Sequence, residues 1–342
     1  MRNNGVPLKV PAGLRLIAVL LFASVVLCPS YSQAQVPARF YLKPLAGASA
    51  VPLIYESISG NSNPFDPAHA HGPTLIPGGA DSVDFDADIA LAGYALTFPV
   101  FDRAAMAAVL VPMGRISGEG TLKGSTVFKE TASGYGDPML EFDINILGPP
   151  VQKNIPDALR YEPGLSVDLL ADLALPIGEY DNDQQLNIGQ NRWYGRLGMP
   201  IIYQIGPWVP GQRMTLELLP AVWFFGDNDD YVGRTMETDP MFQLDAHLSR
   251  DFTQTAWGAL DFAWYTGGKA TIDGISGEKL DNMGLGITLG YQVNDNLNLT
   301  FGYKSILGDD DPEDLSMDMF MVTLVYGWHP LVEGFKRLQN EK

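Results

Sequence analysis

Residues 283–293 read Met-Gly-Leu-Gly-Ile-Thr-Leu-Gly-Tyr-Gln-Val. Met283, Leu285, Ile287, Leu289, Tyr291 and Val293 take every second place, with Gly284, Gly286, Thr288, Gly290 and Gln292 between them. Side chains of an extended strand point alternately to opposite faces, so this segment has one oily face and one small, wettable face. The next run repeats the pattern, with Leu297, Leu299, Phe301 and Tyr303 against Asn298, Thr300, Gly302 and Lys304. The last run carries Phe320, Val322, Leu324, Tyr326 and Trp328 on one face.

The same alternation extends toward the N-terminus. Leu140, Phe142, Ile144 and Ile146 oppose Glu141, Asp143 and Asn145; Leu165, Val167, Leu169, Ala171 and Leu173 oppose Ser166, Asp168, Leu170 and Asp172. Leu197, Met199, Ile201 and Tyr203 oppose Arg196, Gly198 and Ile202, with Pro200 an irregularity. Phe242, Leu244, Ala246 and Leu248 oppose Gln243, Asp245 and His247, and Phe85, Ala87, Ile89 and Leu91 oppose Asp84, Asp86 and Asp88. Segments 104–113, 213–225 and 256–266 are strand-like with less distinct faces, and a first strand is expected near 50–59. The total is about twelve strands, an even number, as in single-chain bacterial membrane barrels.

The connections alternate too. Long polar ones at 60–82, 116–137, 177–191, 226–239, 267–281 and 305–316 interleave with short ones at 99–103, 206–212, 250–254 and 294–296. The exception is 147–163, expected short but long, with Pro149, Pro150, Pro156 and Pro163. Short periplasmic turns and long external loops are the mark of a transmembrane barrel. The expected fold is therefore all-β, an antiparallel barrel over 49–328 with both ends in the periplasm. No later stretch has the roughly twenty consecutive apolar residues of a helical span.

The ends fit export. Arg2, Lys9 and Arg15, the apolar run 16–27 and the small-x-small site Ser32-Gln33-Ala34 read as a cleaved signal peptide over 1–34. Cys28, the only cysteine, lies within it, so the mature chain is expected to have no disulfide or thiolate chemistry. Segment 35–48, with Phe40, Tyr41 and Leu42 outside any strand run, is a candidate plug, and 329–342 is a periplasmic tail. The net charge of -18 argues against a nucleic-acid partner.

A one-residue slip turns every side chain of a strand to the other face. A charged side chain at the lipid midplane costs about 2–4 kcal/mol for Arg or Lys, less for Asp or Glu. The charged faces are therefore expected to line the lumen: Asp84, Asp86, Asp88, Glu141, Asp143, Asp168, Asp172 and Asp245, with Glu217 and Asp261 as further candidates. Arg192, Arg196 and Lys304 would be counter-charges, and His247 a polar lumen residue. Such a set either lines a charge-selective pore or seals the lumen with ion pairs. Girdles are expected at Trp193, Tyr194, Tyr203, Trp208, Trp223, Phe224, Phe225, Tyr326 and Trp328, because Trp and Tyr favour the lipid–water boundary.

Three loop motifs follow in order: Gly134-Tyr135-Gly136-Asp137-Pro138, then Leu175-Pro176-Ile177-Gly178-Glu179-Tyr180-Asp181, then Asn187-Ile188-Gly189-Gln190-Asn191 before Arg192-Trp193. Together they resemble the MetA-pathway of phenol degradation family, across roughly residues 40–328. The resemblance implies an outer-membrane barrel associated with aromatic degradation, a channel for aromatic or other hydrophobic compounds. It implies no catalytic residue. No cofactor and no metal is expected. Two departures stand out: the tail beyond Trp328 and the proline-rich 147–163 link.

Asp245, His247 and Ser249 share one strand face, as a hydrolase triad on paper. Residues two apart on a strand are about 7 Å apart, too far for direct proton transfer. His69 and His71 beside Asp66 lack an evident third metal ligand. The acidic clusters 227–230 and 309–311 match no calcium loop, and Gly267-Gly268-Lys269 has the wrong spacing for a phosphate loop. The reading is passive uptake of small hydrophobic or aromatic solutes. Expected partners are outer-membrane lipid, lipopolysaccharide and, during insertion, the barrel-assembly machinery. The rivals are a structural or surface-interaction barrel and an outer-membrane hydrolase.

Overall fold

The computed structural model describes residues 37–43, 45–66, 80, 82–307 and 315–340. All lie in one compact unit, Tyr31–Lys342. The expected signal segment, His69, His71 and Asp309–Asp311 lie outside the described residues.

The strands are β1 (Ser49–Gly60), β2 (Ser82–Val100), β3 (Arg103–Leu122), β4 (Ser125–Tyr135), β5 (Met139–Leu147), β6 (Leu165–Ala174), β7 (Tyr194–Gly198), β8 (Ile201–Gln204) and β9 (Met214–Phe225). They continue as β10 (Asn228–Tyr231), β11 (Arg234–Thr238), β12 (Met241–Asp251), β13 (Ala256–Gly267), β14 (Ala270–Ile272), β15 (Ile275–Ser276), β16 (Leu280–Gln292), β17 (Leu297–Leu307) and β18 (Met317–Trp328). Two helices complete the set, α1 (Ile155–Arg160) and α2 (Pro330–Asn340). Strand β1 pairs antiparallel with both β2 and β18, which closes a barrel of 12 strands.

Strands β7 and β8 are one stave interrupted at Met199-Pro200. Leu170 faces Gly198 and Val167 faces Ile201, so the register with β6 runs through the break unshifted. Proline removes a ladder donor. Its carbonyl still accepts from Asp168 N–H at 2.8 Å, and Met199 N–H donates to the Pro220 carbonyl at 2.9 Å.

The outward face carries the exposed hydrophobic belt, including Leu53, Leu96, Phe142, Leu169, Leu285 and Leu324. At its long-loop edge three outward aromatics donate to outward aspartates: Tyr55 to Asp88 at 2.6 Å, Trp264 to Asp281 at 3.1 Å and Tyr303 to Asp318 at 2.5 Å. Toward the short-turn end, Tyr94, Trp328 and Tyr326 pack as tilted rings with centroids 6.2 and 5.9 Å apart. These rows are where rings with one apolar and one polar end settle.

Three expectations need correction. Asp84, Asp86 and Asp88 point outward and are exposed, while Val83, Ala87 and Ile89 are buried inside. The first part of β2 rises beyond the Tyr55–Asp88 boundary, where the outside is wet and the inside is packed, so the polarity of the two faces inverts. Tyr194 and Trp223 are buried inward rather than placed in a girdle. The long connections at 116–137, 226–239 and 267–281 are not irregular: β3 and β4 form a projecting hairpin, and β10, β11, β14 and β15 form a separate four-stranded sheet.

The two departures from the family pattern are structured and meet. The 147–163 link holds α1, capped by Asn154, whose side chain accepts the Asp157 N–H at 2.9 Å. The tail forms α2 directly after β18. Ala46 N–H donates to the Gln152 carbonyl at 2.9 Å, and His329 Nε2 lies 2.9 Å from the Ala46 carbonyl.

Candidate functional site

The lumen wall has two chemistries. From β18 through β1 and β2 to β3, the inward side chains are almost all apolar: Met319, Met321, Ile54, Ile58, Ile89, Leu91, Ala95, Met106, Ala108 and Leu110. From β5 round to β13 they include the ionised and polar set Glu141, Asp143, Asp168, Asp172, Arg196, Glu217, Gln243, Asp245, His247, Asp251 and Asp261, all buried, interleaved with apolar Leu170, Ile202, Leu219 and Ala221. Lys304 of β17 is buried beside this arc.

The described residues of the N-terminal segment, 37–43 and 45–48, lie inside the barrel near its short-turn end, against the ionised arc. The Lys43 ammonium pairs with Asp143 and, at 2.8 Å, with Asp168. Burial works against its charge, yet the two carboxylates outweigh burial and hold Lys43 above the usual lysine range. Arg39 donates from its backbone N–H to Glu217 at 2.7 Å, from Nε to Ser249 at 3.0 Å and from Nη1 to Asp251 at 2.7 Å. The Tyr41 hydroxyl lies 3.4 Å from Arg196 Nη2, and Arg196 Nε donates to Asp172 at 2.5 Å. Arg39 and Lys43 were missed from sequence. The signal was a charge imbalance, since the inward carboxylates of the strands outnumber Arg196 and Lys304.

Two chambers flank this layer. One of about 180 Å³ lies between it and the long loops, lined by Phe65, Ile89, Leu91, Leu110, Tyr194, Trp223 and Tyr265, with Glu56, Arg196 and Gln243. The other, about 570 Å³, lies at the short-turn end between residues 37–50 and the wall of β1, β17 and β18. Leu110 lines both. On the side where the segment forms no ion pair, Phe40, Tyr41 and Leu42 share a packed cluster with Ala95 and Met106 of the apolar wall.

The three loop motifs come together above the upper chamber. Asp137 Oδ1 accepts the Gly178 N–H at 2.9 Å and Oδ2 the Gln190 N–H at 2.8 Å. Burial pushes the Asp137 carboxyl up from its ordinary value, against the pull of those N–H groups. Glu179 N–H donates to Tyr135 O at 2.8 Å, Gly189 N–H to Glu179 O at 2.9 Å, and Asp181 N–H to Asn187 Oδ1 at 2.7 Å. A Cβ at Gly178 would sit 2.6 Å from the Gly136 carbonyl carbon, and one at Gly189 2.7 Å from that of Gly178, so these backbones stack too closely for any side chain. Asn191 and Tyr180 tie the stack to Asn228, while Pro176 and Gly134 sit at its strand junctions. Arg192, fully buried, donates to Asp66 at 2.8 Å and to Thr238 at 2.6 Å, with its guanidinium 5.0 Å from the Phe225 ring centre. Phe65, Leu186 and Ile188 pack into the same core. The motifs are thus the scaffold of a roof.

His247 Nδ1 lies 2.6 Å from Asp261 Oδ1 on the neighbouring strand, and Thr288 donates to the other oxygen of Asp261. Ser249 bonds Thr215 at 2.7 Å and Arg39, not His247. Asp245 accepts from Gln243 at 2.7 Å and from Tyr265 at 3.3 Å. The structure does not assemble Asp245, His247 and Ser249 into a triad; they are separate members of one polar network.

The family described as "Putative MetA-pathway of phenol degradation" matches residues 66–313, most of the chain and all three motifs. The chain belongs to this family. An outer-membrane channel from Pseudomonas putida F1, known from its crystal structure, superposes with a TM-score of 0.66 at 17% identity, covering 86% of this chain and 100% of that one. That likeness establishes the outer-membrane barrel fold. The translocator domain of the autotransporter NalP from Neisseria meningitidis aligns at a TM-score of 0.46 and 11% identity, covering 92% of this chain and 96% of its own. A mutant of the TodX monoaromatic hydrocarbon channel aligns at 0.40 and 12%, covering 87% and 96%. No curated protein matches the chain by sequence.

Proposed function

We propose that this barrel is a passive outer-membrane channel for small hydrophobic or aromatic molecules. The observation that carries the reading is the apolar wall of β1–β3, whose Leu110 borders both the upper chamber and the larger cavity at the opposite end. A solute moving along it meets methyl groups and rings, while the ionised arc is occupied by its own partners. Residues 37–48 act as a plug for water and ions, held by Lys43 and Arg39. The three-motif roof admits solute from the external side, next to lipopolysaccharide. Movement is down a gradient. Signal cleavage after Ala34 and insertion by the barrel-assembly machinery complete the reading.

The test is entry of toluene and a sugar into cells lacking the chain, with and without the chain restored, supported by liposome swelling with the purified protein. Faster toluene entry with unchanged sugar entry supports the proposal. Equal toluene entry in both strains would leave the structural-barrel alternative. The Pseudomonas putida protein is itself an outer-membrane channel.

A further inference from the structure

The upper chamber contains few polar groups, and nearly all are already used. Gln243 Oε1 accepts the Trp223 indole N–H at 2.6 Å, and its amide donates to Asp245 at 2.7 Å. Arg196 is bonded to Asp172, with its remaining nitrogens directed at Gln243 and Tyr41. Both oxygens of Asp137 accept backbone N–H groups. The Tyr265 hydroxyl donates to Asp245.

Glu56 is different. It is the carboxylate of the apolar wall, set between Ile54 and Ile58 on β1 and opposite Ile89 and Met321 on the flanking strands. It is 6% exposed, lines the chamber, and receives no side-chain hydrogen bond or ion pair among the described residues. Lys304 is the cation whose field reaches it. Burying a carboxyl group without donors is costly, so an acceptor facing a cavity is a place for a ligand to supply one. The Tyr194 hydroxyl is the chamber's other uncommitted group, and it can donate as well as accept.

The size of the chamber narrows the ligand. A dry cavity of about 150 Å³ holds one benzene, and this one measures about 180 Å³. Trp223 and Tyr194, with centroids 6.4 Å apart, supply ring faces, and Leu91, Leu110 and Ile89 supply the apolar side.

We infer that the upper chamber is a binding site for a single aromatic ring bearing a hydrogen-bond donor, an O–H or N–H, with Glu56 as its acceptor. The inference rests on the uptake reading above and sharpens it. Glu56 sets which monocyclic solutes are selected, and bare hydrocarbons pass with weaker affinity.

The test compares phenol, aniline and toluene, which have equal numbers of non-hydrogen atoms. Binding to the purified full chain in detergent is read by calorimetry, and uptake is read in cells. Phenol and aniline should each bind about tenfold tighter than toluene, as one hydrogen bond to a buried carboxyl acceptor provides. Glu56→Leu should erase that ratio while leaving toluene binding unchanged or stronger. Glu56→Gln, which keeps a carbonyl acceptor, should retain part of it and guards against misfolding of the leucine variant. Equal binding of the three solutes by the native chain, or a ratio that survives in Glu56→Leu, would overturn the inference even if all three enter cells. Selective binding without faster entry would instead overturn the channel reading alone.

Discussion

The arc from β18 to β3 and the arc from β5 to β13 enclose one space with opposite surfaces. In the ionised arc each carboxylate must find a cation or a donor, because an unpaired charge in a low-dielectric interior costs several kcal/mol. The strands themselves supply too few cations, and Arg39 and Lys43 of the N-terminal segment add two more. The apolar arc asks for no such partner. The segment's ion pairs therefore all lie on one side, while toward the apolar arc Phe40, Tyr41 and Leu42 share a packed cluster with Ala95 and Met106. Charge surplus in one wall decides where the segment's ion pairs sit and, in the proposed channel, which side carries solute.

Removing the pin should have the largest effect. Lys43→Met leaves Asp143 and Asp168 facing each other without a cation, at a cost of about 3–5 kcal/mol. The segment should detach, and ion conductance in planar bilayers should rise several-fold; unchanged conductance would mean that the lysine is not what closes the ionised side. The same contact predicts an alkaline limb. Because its folded value lies above the ordinary lysine value of 10.5, the pairing contributes fully below that pH and is lost as pH climbs through the raised value. Conductance should stay low at neutral pH and increase only at strongly alkaline pH.

Next in size is the roof. Asp137→Ala strands the N–H groups of Gly178 and Gln190, worth about 3 kcal/mol. Faster proteolysis within 175–191 in whole cells is the expected readout, with conductance little changed. A smaller effect, about 1 kcal/mol, is expected from His329→Ala, which removes one of the two contacts at Ala46. It should raise the frequency of brief openings, and a silent variant would show that the 147–163 link suffices. The least effect belongs to Asp84, Asp86 and Asp88. Converting all three to Asn should leave ion selectivity unaltered, because they face outward; a change would put them back in the lumen.

Much of this was legible from alternation alone. Strands β5, β6, β12, β16, β17 and β18 have the faces read from their sequences, because within the hydrocarbon belt the apolar side has one place to go. The rule failed on β2, whose alternation is just as clear. Above the belt the outer face is wet and the inner face is packed against Phe65 and Ile188, so an identical pattern demands the opposite orientation. Trp223 was misread for a related reason: the chamber uses aromatic side chains inward, and composition does not separate a girdle ring from a lumen ring. Glu56 sits in an ordinary strand with no motif around it, and only the closed wall shows that it stands alone.

The central claim is that solute travels along the apolar arc past the N-terminal segment. Leu110 lines the cavities on both sides of that passage. The direct measurement is initial toluene uptake by cells carrying Leu110→Trp, with barrel integrity checked by heat-modifiable gel mobility. The account predicts that uptake falls to that of cells without the chain while the mobility shift is kept. Undiminished uptake through a correctly folded Leu110→Trp barrel would contradict it.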